Sequence, residues 1–360
     1  MYKYQLVIDV FCMPNIHTFN DLKSLLQANF EDNEESLSKF GATYSKQLKA
    51  YLVESNFKVS ELSCPNGYGQ WKKLDAEHWH INHGSKSPGS LILDSSRKRV
   101  WILYSLLDAS ESDAVITKWI EEIKGLDRCW LSRGQLMYFG RNEFWREKGI
   151  GLKFSDGLTP EEHASNFSLK AWYGKTTGQL QGLNDLLELA KTQFAIYSTR
   201  WQKMSEGSVT ISAEWYSNGK VTINRAIDVD EVMLSISDMA NRYEDALLEA
   251  TNIRNNTMGA FELDFTQEID LQAFSETVLM GRGKMNLWLV ETESESDFKR
   301  FRGVDLHTWD RIFMDVGLDY AYITIPGKGC VNAAPRIATV QGEDNAGRTS
   351  IYFDGVEIFA

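Results

Sequence analysis

The chain is poor in cysteine and proline and has no long apolar run, and each shortage closes off a class of protein. Its four cysteines, Cys12, Cys64, Cys129 and Cys330, are scattered through 360 residues without a Cys-x-x-Cys pair. That spacing excludes a zinc ribbon and a dithiol redox motif, and it fits reduced thiols in a cytoplasmic setting. No stretch approaches the roughly 18 consecutive apolar residues of a membrane-crossing helix. The opening segment Met1 to Val10 lacks the apolar core and cleavage site of a secretion signal and reads as a strand that starts the fold. Positive charge is also short. At a formal net charge of −12 and a pI near 5.1, the chain lacks the broad Lys/Arg surface that displaces counterions from a phosphate backbone.

What is present is ample material for a core. Apolar and aromatic residues make up 43% of the chain, with 11 Trp, 18 Phe and 14 Tyr, which argues against disorder. The length exceeds what one hydrophobic core usually serves, so two or three domains of roughly 100–150 residues are expected. With six prolines and no Pro-rich or Gly/Ser-rich linker, breaks are placed near Lys148-Gly149 and Asn255-Asn256. They give an N-terminal α+β domain (1–148), a middle ββαββα domain (149–255) and a C-terminal α+β domain (256–360) ending in a hairpin.

One unit recurs, a β-hairpin running into an amphipathic helix. Leu91 to Leu93 and Val100 to Tyr104 flank a polar turn, and Ser110 with Asp113 then starts a helix carrying Val115, Ile116, Trp119, Ile120 and Ile123 on one face. Asn218-Gly219 between Val209 to Tyr216 and Lys220 to Asn224 specifies a tight type I′ hairpin. Asp228-x-x-Glu231 then caps a helix with Val232, Ile236, Met239, Tyr243 and Leu247 on one side, ending near Asn252. Leu183, Leu186, Leu187, Ala190, Phe194, Tyr197 and Trp201 predict a further helix from Gln179 to Met204, and Asp354-Gly355 predicts a closing hairpin. Hairpins linked by helices indicate an α+β fold with antiparallel or mixed sheets, ferredoxin-like modules being one candidate.

Reactive chemistry concentrates at one place. Three of the six histidines, His78, His80 and His83, fall in Glu77-His78-Trp79-His80-Ile81-Asn82-His83. On a strand His78 and His80 share a face; His83 joins them only if the chain turns after Ile81. The spacing His-x-His-x-x-His resembles the first metal motif of metallo-β-lactamase-type hydrolases, and the resemblance implies a metal-dependent hydrolase with these three residues as ligands. Asn82 stands where that motif has an aspartate, and downstream histidines are limited to His163 and His307.

Other candidates are thinner. Asp9 follows an apolar run, Glu262 and Asp264 share one strand face, and Gly281 to Lys284 and Gly327 to Cys330 read as turns between strands. Cys330 has Lys328 nearby but no histidine close in sequence. Arg97, Lys98, Arg99 and Lys299, Arg300, Arg302 offer local cations for an anion or nucleic acid. No complete catalytic constellation emerges. The composition therefore points to a non-enzymatic cytoplasmic binding or accessory protein acting through a protein-interaction surface, with no cofactor and no membrane. The alternatives are a hydrolase holding a divalent metal on the histidine cluster, and a subunit of a nucleic-acid-processing complex.

Overall fold

Antiparallel pairing of neighbouring strands organises the chain into two sheets. The computed structural model describes residues 16–32, 35–36, 47–59, 71–81, 91–155, 166–172, 188–192, 194–257, 259–279, 285–344 and 347–360. The first sheet contains β1 (Lys49–Ser55), β2 (Trp71–Lys73), β3 (His78–Ile81), β4 (Leu91–Asp94), β5 (Val100–Ser105), β6 (Leu126–Arg128), β7 (Trp145–Ser155), β8 (Asn166–Trp172), β9 (Ala195–Ser205), β10 (Ser208–Tyr216) and β11 (Lys220–Ala226). Its order is β2-β3-β4-β5-β1-β11-β10-β9-β7-β8, with β6 also paired to β1. The second sheet contains β12 (Phe261–Phe265), β13 (Leu287–Ser294), β14 (Phe298–Asp305), β15 (Asp310–Gly317), β16 (Tyr320–Thr324), β17 (Thr349–Phe353) and β18 (Val356–Glu357), in the order β13-β14-β15-β16-β12-β17-β18. Every strand pair among the described residues is antiparallel, which gives the α+β class that hairpin-rich sequence leads one to expect.

Helices cover both faces of the first sheet. Tyr51, Val53, Trp101 and Leu103 pack with Val115, Ile116 and Trp119 of α2 (Ala109–Glu122), while Ala50, Leu52, Ile102 and Tyr104 pack with the opposite layer. That layer is α1 (Phe19–Phe30) and α4 (Val229–Asn256), the short α3 (Arg133–Leu136) lying between α2 and α4 in the chain. The apolar stripe of α4 is buried as its spacing demands, Asp228 accepts from the backbone N–H groups of Asp230 and Glu231, and the helix runs on to Asn256. Helix α2 begins after Asp108, two residues ahead of the Ser110 start read from sequence.

The second sheet carries α5 (Leu271–Leu279) on β13, and α6 (Ala333–Asp344) lies between the sheets, packing on β7 and β9 of the first and on β12 and β17 of the second. One continuous cluster of buried apolar side chains therefore runs from Ala50 through Tyr243 to Phe261 and Ile337. The break expected at Lys148-Gly149 falls inside β7, and the one at Asn255-Asn256 falls at the end of α4, where the chain passes from one sheet to the other.

The helix expected from Gln179 to Met204 is corrected. Residues 188–192 are helical, but Ala195–Ser205 forms β9 between β7 and β10, and residues 179–187 lie outside the described set. Ile196, Tyr197, Thr199 and Trp201 favour a pleated surface flanked on both sides. The helical spacing of Phe194, Tyr197 and Trp201 is overridden by that pairing. The N-terminal strand, Asp9, Cys12, Cys64, His163 and Gly281 to Lys284 also lie outside the described residues. No helix among the described residues is long and apolar enough to cross a membrane.

Candidate metal centre

Strand β1 is buried along its whole length, because both faces of the first sheet are covered there. Alternation puts Glu54 on the face of Ala50 and Leu52, where it is closed off from bulk solvent: its exposure is 0%. Two segments of the C-terminal half converge on it. The first is the turn between β14 and β15, in which His307 N–H donates to Asp305 Oδ1 at 3.1 Å and Trp309 N–H donates to the Asp305 carbonyl at 2.6 Å, with Trp309 in the left-handed region at φ 64°. The His307 carbonyl accepts from Gly125 N–H at 2.8 Å, tying this turn to the segment before β6. The second is the glycine-bearing segment before α6, where Gly329 N–H donates to the Pro326 carbonyl at 3.3 Å and the Gly329 carbonyl accepts from Arg254 of α4. It is a strand-to-helix connection, not the strand-to-strand turn expected, and it carries Cys330.

Glu54 Oε2 lies 3.2 Å from His307 Nε2, and Glu54 Oε1 lies 3.5 Å from Cys330 Sγ. The ligand atoms of Glu54, His307 and Cys330 all fall within 4.8 Å of one another, and all three residues are buried. Asn56 Nδ2 sits 3.4 Å from Glu54 Oε2 and from His307 Nε2. Arg99 Nη2 donates to Glu54 Oε1 and approaches Cys330 Sγ at 3.5 Å. Burial opposes charge on His307, but the adjacent Glu54 carboxylate, then Cys330, outweigh it and push the imidazole up to about 10.

A second buried layer supports this one. Arg336 of α6, wholly buried, donates to Asp127 Oδ2 and to Asp305 Oδ1. Asn332 Nδ2 donates to Asp127 Oδ2 at 2.9 Å, Tyr243 Oη donates to Asn332 Oδ1 at 2.6 Å, and Trp130 N–H donates to Tyr243 Oη at 2.9 Å. Burial raises the Asp127 carboxyl, yet Arg336 beside it and His307 beyond hold it below the usual carboxylate range. Arg336 thus joins Asp127 to Asp305, and Glu54 lies between Arg99 and His307, so each buried carboxyl group has a basic partner.

The three side chains are of the types found in metal sites and in thiol–imidazole–acid groups. In a thiol–imidazole–acid relay the thiol and the acid occupy opposite ring nitrogens. Here the acid and Asn56 gather on Nε2, while His307 Nδ1 has no hydrogen-bond partner among the described residues. One N, one O and one S donor, the types zinc and similar ions take, thus lie within 4.8 Å of one another.

The sequence-picked histidines are placed elsewhere. His78 and His80 lie on β3; His78 stacks on Phe19 with ring centroids 3.7 Å apart and binds Asp75 through Nδ1 at 2.8 Å. Neither belongs to the one metal-type group among the described residues, and His83 lies outside them. Of the six basic candidates, Arg97 is held by Asn241 and Asp94, Arg99 by Glu54, Lys299 by Gln272 and Glu291, and Arg300 by Asp315 and Glu293. Lys98 and Arg302 are exposed.

The fold and site together define a two-sheet antiparallel α+β protein with a buried Glu/His/Cys cluster at the sheet junction. The chain belongs to the family described as MJECL33-like protein, whose model matches residues 12–341. It is similar to the uncharacterized protein MJECL33 of Methanocaldococcus jannaschii, 24% identical over 90% of this chain and 91% of that one. No solved structure matches it.

Proposed function

We propose that this protein is a metalloprotein holding one zinc-type divalent cation on Glu54, His307 and Cys330. The observation that carries the reading is the convergence of these three buried donor atoms within 4.8 Å. Three protein donors are the count of catalytic zinc sites, which keep a position for water or substrate. Metal-assisted hydrolysis is therefore the reaction class to assay, moved here from the histidines of β3.

Elemental analysis of untagged protein tests this. About one zinc per chain is expected, lost in Cys330→Ser and retained in Cys129→Ser and His80→Ala. Cobalt substitution should give a thiolate-to-metal absorption band that Cys330→Ser abolishes. Wild-type chain that takes up no zinc, or equal metal in Cys330→Ser, overturns the assignment.

A protein-interaction role is favoured by one separate observation. On β13, the end strand of its sheet among the described residues, Trp288 and Val290 are 59% and 57% exposed on the same face. A pulldown from native lysate recovering no stoichiometric partner, together with monomeric sedimentation, would remove that reading.

A further inference from the structure

The second sheet is covered on one face only. Helices α5 and α6 pack on the face of Leu289, Phe301, Leu263 and Ile351, and no helix is packed along the opposite face among the described residues. Strand alternation and register set the side chains of that open face in rows across the strands. In the first row Trp288 of β13 stands beside Val304 of β14 and Arg311 of β15; in the second Val290 stands beside Arg302 and Phe313. The third row is Glu293, Arg300, Asp315, Tyr322 and Glu262, and the fourth pairs Tyr320 with Asp264.

Charge is segregated along the strands. The first two rows hold Arg302 and Arg311, both exposed and neither ion-paired to a described residue, and they contain no carboxylate. Trp288 and Val290, exposed beside them, supply apolar area. The rows beyond carry Glu293, Asp315, Glu262 and Asp264, and Glu357 of β18 extends the third row beside Tyr352. Their cations are Arg300, which lies between Glu293 and Asp315, and Arg348, 3.9 Å from Glu357. Tyr320 and Tyr322, ring centroids 5.2 Å apart, give this end its aromatic surface.

A face with its signs separated in this way selects its occupant. A nucleic-acid strand would be drawn to Arg302 and Arg311 but repelled over the carboxylate rows. A uniformly basic protein would be repelled at the arginines. The surface that presents acid opposite the arginines and arginine opposite the acids, with aromatic area at both ends, is this same face turned end for end by a two-fold axis lying across the strands in the plane of contact.

We infer that two copies of this chain pair face to face through the open side of the second sheet, the end bearing Trp288, Arg302 and Arg311 in each copy lying on the carboxylate end of the other. This rests on the protein-interaction reading of β13, for which it names a second copy as the partner, and it is independent of the metal.

Sedimentation equilibrium of the full chain tests the pairing. A dimer with a Kd on the order of 10 μM is expected, weakening about threefold or more as ionic strength rises from about 0.05 M to about 0.5 M. Arg302→Glu with Arg311→Glu should weaken self-association about tenfold, and so should Glu262→Lys with Asp264→Lys. Mixed in equal amounts, the two variants should form a heterodimer within about threefold of the parent Kd, because one face is now acidic throughout and the other basic at both ends. Misfolding of either variant cannot produce that recovery. Glu262 and Asp264 lie on β12, four strands from β13 in the sheet order, so a dimer that keeps its Kd in their variant is an edge pairing of β13 and overturns the inference. Parent chain that stays monomeric at about 100 μM overturns it as well. In that case a stoichiometric lysate partner lost in Trp288→Ala leaves the protein-interaction reading standing with a different partner, and recovery of none takes both down.

Discussion

Arg336 is the residue on which most of the buried charge depends. Its guanidinium joins Asp127 and Asp305, both 3% exposed or less, in a region closed to bulk solvent. Arg336→Met removes the cation while keeping bulk, so two carboxylates lose their counter-charge; a loss of about 3–5 kcal/mol is expected in urea unfolding at neutral pH. Asp127→Asn tests the same group by pH. The folded Asp127 carboxyl is depressed, so its contribution is present above the unfolded value of about 4 and disappears as pH falls through the lower folded value. The variant should therefore be less stable at pH 7 and show a flatter loss of stability below about pH 4, measured by urea midpoints across that range. None of these roles was legible in the sequence, since Glu54, His307 and Cys330 come from segments that only tertiary packing joins. Faint signals existed. Glu54 interrupts the apolar run Tyr51-Leu52-Val53, and Asn332 and Arg336 stand one helical turn apart among alanines and Val331. The histidine cluster drew attention by local density, but local density says nothing about whether a third donor can reach it.

At the level of elements, local chemistry was more readable, because a tight turn or a cap is decided by few neighbouring residues. The Asp228 cap and the Asp354-Gly355 turn form where their residues require, with Asp354 and Gly355 at positive φ; the Asn218-Gly219 hairpin forms too, but the type I′ turn expected there is corrected, since Ser217 joins the loop and Gly219, not Asn218, has positive φ. Gly219 does more than permit a turn. Its carbonyl accepts from Leu52 N–H at 2.9 Å, and a Cβ there would meet the Cys129 carbonyl at 2.6 Å and the Leu52 carbonyl at 3.0 Å. Gly207, in the hairpin between β9 and β10, has the same backbone sign and nothing within 4 Å. Gly207→Ala should thus cost about 1 kcal/mol from backbone conformation alone. Gly219→Ala should cost more than about 2 kcal/mol, because rigid backbone oxygens must also move; thermal unfolding of the pair checks the difference. What failed at this scale was β9. Aromatic and β-branched residues at mixed spacing satisfy a helix template and a strand template alike, and the tie is broken by β7 and β10 on either side, which sequence spacing does not display.

For the whole molecule the question is whether the two sheets behave as one body. Helix α6 packs on strands of both, and the buried apolar cluster is continuous across the junction. The polar layer crosses the same junction: Gly125 N–H reaches the His307 carbonyl, Asn332 reaches Asp127, and Arg336 spans Asp127 of β6 and Asp305 of β14. Exposing either sheet alone would strip apolar surface from α6 and leave charges unpaired in a partly dry setting, so a half-unfolded state is penalised twice. Urea unfolding should therefore appear as one transition, with far-ultraviolet circular dichroism and tryptophan fluorescence giving the same midpoint. Arg336→Met weakens only the polar half of the junction, and the two probes should then separate, since the tryptophans are concentrated in the first sheet and Trp288 and Trp309 report on the second. Coincident midpoints in the variant, or separate midpoints in the parent chain, would show that the junction does not couple the sheets, and would place the stability of the metal-type cluster in the apolar packing of α6 instead of in the charges that surround it.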